Sequence, residues 1–338
     1  MQVHRIASIV LAGGAALGAC SGSSSTGVHS EPPQPDDLDG SSGGGAAADA
    51  GSDLDASSTG PVAPSDASAG SSGGGADAAG PSADAGGGSS GDGGLQPFKG
   101  VANSACGDLA RLGVSWWYNW TPGPSGCTAS QFVPMIWGHT GSEQSASGIS
   151  TAIGKLVTAG YAAVLGFNEP DNTGQSNISV ATAISLWPSF DDLSMRLGSP
   201  ATQGNSTGLT WIQDFMSQVN ADTSGKLRVD FIATHWYGWN AGSCDAKAAN
   251  LESWIKQIEA IPGNRPIWIT EWGCLNKSNP DAATVQAFYS GAIAMFAKHP
   301  RLERYAWYPW TTNNELVSAD AGALTSLGTV FAAAPSSR

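Results

Sequence analysis

The alternation of apolar and polar positions divides the 338-residue chain into three regimes. Residues 6–19 are an uncharged, mostly apolar run behind His4 and Arg5. Residues 21–97 carry no periodicity, being almost entirely Gly, Ser, Ala, Asp and Pro. From Phe98 onward, short apolar or β-rich segments are followed by loops and then mostly by helical patterns. The pattern predicts eight strands, at 98–102, 113–119, 132–137, 163–168, 196–200, 229–235, 266–271 and 304–310. The clearest helix is predicted over 251–261. Leu251, Trp254, Ile255, Ile258 and Ile261 share its apolar face, and Glu252 and Lys256 pair at i,i+4 on the polar face. About 240 residues of βα units suit an α/β fold, a single (β/α)8 TIM-type barrel over 98–338. An open doubly wound sheet is the alternative.

Composition sharpens the boundary at residue 97. All 28 aromatic residues lie after it, and the 77 residues from 21 to 97 hold eleven acids and no Lys or Arg. Most of the formal charge of −13 therefore belongs to this stretch and not to the domain. With so little apolar surface it cannot offset a backbone ordering cost of roughly 1–2 kcal/mol per residue, and a disordered tether is expected. No basic face is left to hold nucleic acid. The apolar run of 6–19 is too short to span a bilayer and reads as an export signal. It ends Leu17-Gly18-Ala19-Cys20, which resembles a bacterial lipobox with Cys20 acylated. That implies a lipoprotein held to a membrane through its N-terminal lipid, at the outer membrane if the cell is Gram-negative, with Ser21 following the Cys. Removing Cys20 from the odd count of five leaves Cys106, Cys127, Cys244 and Cys274, an even set suited to an oxidising compartment. Cys106 and Cys127 follow the first two strands, and Cys244 and Cys274 follow the sixth and seventh. Those two pairings are the best of the three possible.

In such a barrel the chemistry lies at the C-terminal strand ends. Only two of those ends carry a Glu: Glu169 on the fourth strand and Glu271 on the seventh. Two carboxylates facing across a cleft are what glycoside hydrolysis needs, one to protonate the departing oxygen and one to attack the anomeric carbon or activate water. The surrounding strand ends are rich in Trp, Tyr, Asn and His, suited to stacking on sugar rings and hydrogen bonding to hydroxyls. No His pair has metal-ligand spacing, so neither a metal nor another cofactor is expected.

Asn168-Glu169-Pro170-Asp171 and Thr270-Glu271 resemble the strand ends of the large clan of retaining (β/α)8 glycosidases. More closely, seven segments resemble glycoside hydrolase family 128, endo-β-1,3-glucanases with an alkali-sensitive-linkage type catalytic domain. They are Lys99-Gly100-Val101, Val114 to Trp120, Phe132 to Gly138, Leu165 to Asp171, Leu197 to Ala201, His235-Trp236-Tyr237 and Trp268 to Gly273. The resemblance implies Glu169 as acid/base and Glu271 as nucleophile, with Asn168 on a sugar 2-hydroxyl. It implies that His235 and Tyr237 orient the nucleophile and line the cleft. Substrate contacts are expected from Trp117, Tyr118, Asn119, Trp137, Asp171, Trp236, Trp272, Trp307 and Trp310 as well. Because side chains alternate along a strand, Trp116 and Trp117 cannot both face the cleft. A monomer acting on a β-glucan is expected, against two alternatives: a clan relative cutting another β-glycan, and a surface glycan-binding protein without catalysis.

Overall fold

The computed structural model describes residues 96–336, apart from 129–130, 139–140, 193, 276–278 and 320–321. The expected export signal, Cys20 and all but the last two residues of the expected tether lie outside the described residues. Strands and helices alternate: β1 (Phe98–Ala102), α1 (Cys106–Leu112), β2 (Trp116–Tyr118), α2 (Ala146–Thr158), β3 (Ala163–Val164), α3 (Val180–Leu186), β4 (Arg196–Leu197), α4 (Ser206–Ala221), β5 (Ile232–Tyr237), α5 (Ala249–Glu259), β6 (Ile267–Gly273), α6 (Ala282–Phe296), β7 (Leu302–Trp307) and α7 (Ser326–Ala333). Five helices begin where a side chain can satisfy an otherwise unbonded N–H of the first turn. Ser145, Ser179, Asn205, Asp281 and Thr325 each accept such a bond.

All strand pairings are parallel, as an α/β chain with crossover helices requires. One sheet has the order β2-β1-β7-β6-β5, and β3 pairs with β4. Isolated parallel bridges join Trp117 to Phe132, Met135 to Leu165, Gly198 to Phe231 and Thr202 to Thr234. The strand predicted at 132–137 is therefore no continuous strand but a bridging segment between β2 and β3. Pro134 has no N–H to donate within it. The predicted fourth to eighth strands accordingly become β3 to β7. Their edges also move: β5 and β6 run two residues past their predicted ends, while β7 stops at Trp307, three residues early.

The core fills two layers. Inside the sheet, Trp116 lies against Trp268 with ring centroids 5.3 Å apart, and Phe231 stacks on Trp268 at 3.8 Å. Gly100 makes room for this: a Cβ there would lie 2.4 Å from Trp116 Nε1. Arg196 of β4 reaches Glu303 of β7 through two hydrogen bonds of 2.7 and 2.8 Å. Outside the sheet, the apolar faces of the helices cover it, α5 through Leu251, Trp254, Ile255 and Ile258. Lys99 of β1 is buried, and its ammonium donates to the carbonyls of Phe331, Ala332 and Ala334, tying the first strand to the end of the last helix. Two disulfides, Cys106–Cys127 and Cys244–Cys274, have the expected pairing. They join the loops after β1 and β2, and those after β5 and β6.

Candidate active site

Glu169 and Glu271 emerge at neighbouring points of the same face, both nearly buried at 7 % and 6 % exposure. Each is shaped by a break in regular backbone. Glu169 has φ +40°, the left-handed region that costs a non-glycine residue energy and is found where surrounding structure enforces it. What enforces it here is Glu169 N–H, which donates to Ala201 O at 2.7 Å, and Asn168 N–H, which donates to Trp137 O at 2.8 Å. Glu271 sits where β6 shifts register against both β5 and β7.

The partners of the two carboxylates differ. Glu271 Oε1 accepts from Tyr118 OH at 3.0 Å and from Trp120 Nε1 at 2.7 Å. Its Oε2 accepts from Tyr237 OH. Glu169 Oε2 accepts from Asn172 Nδ2 at 3.0 Å, and its Oε1 pairs with His235 Nδ1 at 2.9 Å. His235 bridges the pair, since its Nε2 lies 3.4 Å from Glu271 Oε1. Burial opposes an imidazolium here, but the charges of Glu271, Glu169 and Asp171 outweigh it, and the His235 pKa is raised. Burial first, and then the Glu271 charge, pushes the phenols of Tyr118 and Tyr237 well above their ordinary range, so both remain donors. Glu271 is thus clamped by three donors, while one Glu169 oxygen faces a group able to give or take a proton.

One ligand-type atom each from Glu169, His235 and Glu271 lies within 4.8 Å of the others, the one such cluster among the described residues. Its donor set does not suit a cation. Tyr118 and Trp120 already direct hydrogens at Glu271 Oε1, and His235 Nδ1 is engaged with Glu169.

The other sequence-predicted contacts separate into three groups. Tyr118, His235 and Tyr237 face inward and touch the carboxylates. Asn168 is buried beside them, with Nδ2 donating to Gln175 at 3.2 Å and Oδ1 lacking a protein partner. Asp171 accepts from Gln203 N–H at 3.2 Å. Burial, followed by the Glu169 charge, raises its pKa to about 6. Four tryptophans belong to the core instead of the cleft, because strand alternation turns them outward beneath the helices. Trp117 packs on Phe132 and Trp236 stacks on Phe288 of α6. Trp272 is enclosed by Tyr289, Phe296, Tyr305 and Trp307, and Trp307 donates to Asn314 O. With 0 % exposure, Trp272 and Trp307 offer no face to a sugar. Asn119 also turns away, spending its amide on Gly123 O, Ser125 and Thr121 to shape its own loop.

Trp137 is half-buried, and Trp310 is 51 % exposed with its indole N–H on Ala102 O. Trp120 and Asn172, which touch the carboxylates, were not predicted as contacts. Trp120 could have been found by stepping two residues on from Tyr118 to the same face.

A parallel α/β fold that brings two carboxylates together at its strand ends, among tyrosines and tryptophans, defines a glycoside hydrolase. The family described as glycosyl hydrolase catalytic core matches residues 97–331, and the chain belongs to it. Alkali-sensitive linkage protein 1 of Schizosaccharomyces pombe is 30% identical over 241 residues, which is 66% of this chain and 41% of that protein. The chain thus spans well under half of that relative's length. A subgroup I endo-β-1,3-glucanase of glycoside hydrolase family 128 from Amycolatopsis mediterranei, in complex with laminaripentaose, is similar in structure. Its TM-score is 0.59 at 34% identity, covering 70% of this chain and 99% of that one. A subgroup III curdlan-specific exo-β-1,3-glucanase from Blastomyces gilchristii has a TM-score of 0.55 at 29% identity, covering 70% of this chain and 97% of its own.

Proposed function

We propose that the protein is a retaining endo-β-1,3-glucanase whose domain closes as a (β/α)8 barrel. The observation that carries the mechanism is the separation of the two carboxylates, an oxygen of each lying within 4.8 Å. Retaining enzymes hold the pair about 5–5.5 Å apart, while inverting ones need about 6.5–9.5 Å to admit a water between. Closure of the barrel is supported by the pairing of β7 with β1, by the bridging segment between β2 and β3, and by the Arg196–Glu303 pair reaching from β4 to β7. The choice of β-1,3-glucan is supported by the family 128 neighbours, which include an enzyme bound to laminaripentaose.

Glu271, fixed by Tyr118, Trp120 and Tyr237, attacks the anomeric carbon while Glu169 gives its proton to the departing glycosidic oxygen. A covalent glycosyl ester on Glu271 results. Glu169 then takes a proton from water, which releases the sugar with its original configuration. His235 lies between the two carboxylates and offsets their mutual repulsion. Incubation with laminarin and curdlan should yield short oligosaccharides from early times, with β-anomers first by proton NMR. Glu271→Ala should lower kcat by at least about 10³-fold while laminarin binding persists. Full activity in that variant, or α-anomers as first product, refutes the mechanism.

We further propose that the enzyme is an exported lipoprotein acylated at Cys20, a residue outside those described. Mass spectrometry of the mature N-terminus reads this directly, and an unmodified Cys20 would end it.

A further inference from the structure

Strand β6 carries Glu271 through a stretch where its ladders are irregular on both sides. Against β5 the register shifts between Thr234 and His235, and against β7 between Ile269 and Trp272. Such shifts re-aim a side chain, but they leave it without the evenly spaced rungs that fix a strand. The direction of Glu271 then depends on what grips β6 just beyond it. Trp272 O accepts Tyr308 N–H at 2.9 Å, and Gly273 O accepts Gly238 N–H at 3.2 Å.

The next rung is not backbone. β7 has ended at Trp307, and the peptide groups of Cys274 would face no strand. A side chain takes the strand's place: Asn314 Oδ1 accepts Cys274 N–H at 3.0 Å, and Asn314 Nδ2 donates to Cys274 O at 2.9 Å. The carboxamide imitates a peptide unit, offering one acceptor and one donor at the right spacing. Asn314 is itself wholly buried and locked, since its second side-chain amide hydrogen reaches Thr312 O at 3.1 Å and its backbone carbonyl accepts Trp307 Nε1 at 2.9 Å. The same Cys274 is bonded to Cys244 in the loop that follows Tyr237, another holder of Glu271. The loops after β5, β6 and β7 therefore converge on one peptide, three residues past the carboxylate.

We propose that Asn314 is a positioning residue for Glu271: its two-pronged grip on the Cys274 peptide, backed by the Cys244–Cys274 disulfide, sets the aim of the nucleophile. The inference rests on the nucleophile role of Glu271. A displacement on the order of 1 Å at a reacting atom costs about 100-fold in rate. A buried Asn that served only to satisfy two backbone groups would change how much protein folds, not the turnover of each folded molecule.

The test is steady-state kinetics of the full chain on laminaripentaose, with Asn314→Ala and Asn314→Asp normalised to folded protein by near-UV circular dichroism. The expected result is a kcat lowered ~10–100-fold with KM nearly unchanged. Asn314→Asp keeps the acceptor for Cys274 N–H but sets a second acceptor against Cys274 O and Thr312 O, so its loss should be at least that of Asn314→Ala. Should Asn314→Ala fail to fold, Asn314→Ser and the Cys244→Ser/Cys274→Ser double variant, which removes this disulfide alone, carry the test. Because both devices hold one peptide, loss of the disulfide and loss of Asn314 should combine less than multiplicatively in kcat. Wild-type kcat in the folded Asn314 variants, or a loss confined to KM, overturns the proposal. Azide rescue of Glu271→Ala, giving a glycosyl azide, checks the nucleophile on its own. Rescue alongside unaffected Asn314 variants removes only the brace, whereas failure of rescue removes the nucleophile assignment and the brace with it.

Discussion

Among single residues, Asp171 shows how the site sits in tension with stability. It is mostly buried two residues beyond Glu169, with one oxygen on Gln203 N–H and the other lacking a protein partner. Burial and the Glu169 charge lift its pKa from 3.8 to about 6. A carboxyl whose folded pKa is raised contributes stability that is fully present below its ordinary pKa and is lost as pH rises through the folded value. At neutral pH the ionised side chain is therefore a cost. A neutral carboxamide in its place would carry none, so Asp171→Asn should raise stability at pH 7.5 by about 1–2 kcal/mol and by nothing measurable near pH 3.5. Urea melts at the two pH values check this, and a gain equal at both would refute it. Glu169 and Glu271 were legible in the sequence because each is the one Glu ending an otherwise apolar strand. Trp120 was harder to find, since it lies past the end of β2 with φ +60° and extrapolated alternation weakens there.

For the elements, the sequence placed seven of its eight expected strands but not which way their aromatic residues point. Trp236 lies between His235 and Tyr237, and Trp272 directly follows Glu271. A motif that brings all of them together does not say that alternate residues leave the cleft. Alternation settles it once one inward residue is known: if His235 and Tyr237 face the carboxylates, Trp236 must face α6. The same logic places Trp272 among Tyr289, Phe296 and Tyr305. Trp272→Ala should thus cost about 3–5 kcal/mol in stability, as a large cavity does, whereas Trp310→Ala at a half-exposed position should cost less than about 1 kcal/mol. Chemical denaturation distinguishes the two, and an inexpensive Trp272→Ala would mean the ring is not in the core. The bridging segment of 132–137 carries the apolar residues of a full strand; Pro134, with no N–H to give a ladder, is the signal in the sequence against one, and the pairing is accordingly sparse.

The whole molecule combines a nearly balanced domain with a strongly acidic N-terminal stretch. The hydrogen bonds that hold the two carboxylates all come from within the domain. A chain starting at residue 96 should keep kcat and KM on laminaripentaose within about twofold and unfold within ~2 °C of the full chain. A larger loss in either would show that the boundary lies elsewhere. The boundary expected at residue 97 rests on every aromatic residue lying on one side of it. What composition could not show was how the domain secures its own ends, a matter of contacts more than 200 positions apart. Lys99 does this, holding the carbonyls of Phe331, Ala332 and Ala334 from the first strand. In a parallel sheet, β1 begins at the rim opposite the strand ends that carry Glu169 and Glu271. Both termini of the domain are therefore gathered on the far side from the cleft. A circular permutant that fuses this seam and opens a distant loop keeps its catalytic mouth, and a passenger attached at either end leaves that mouth clear for a polymer.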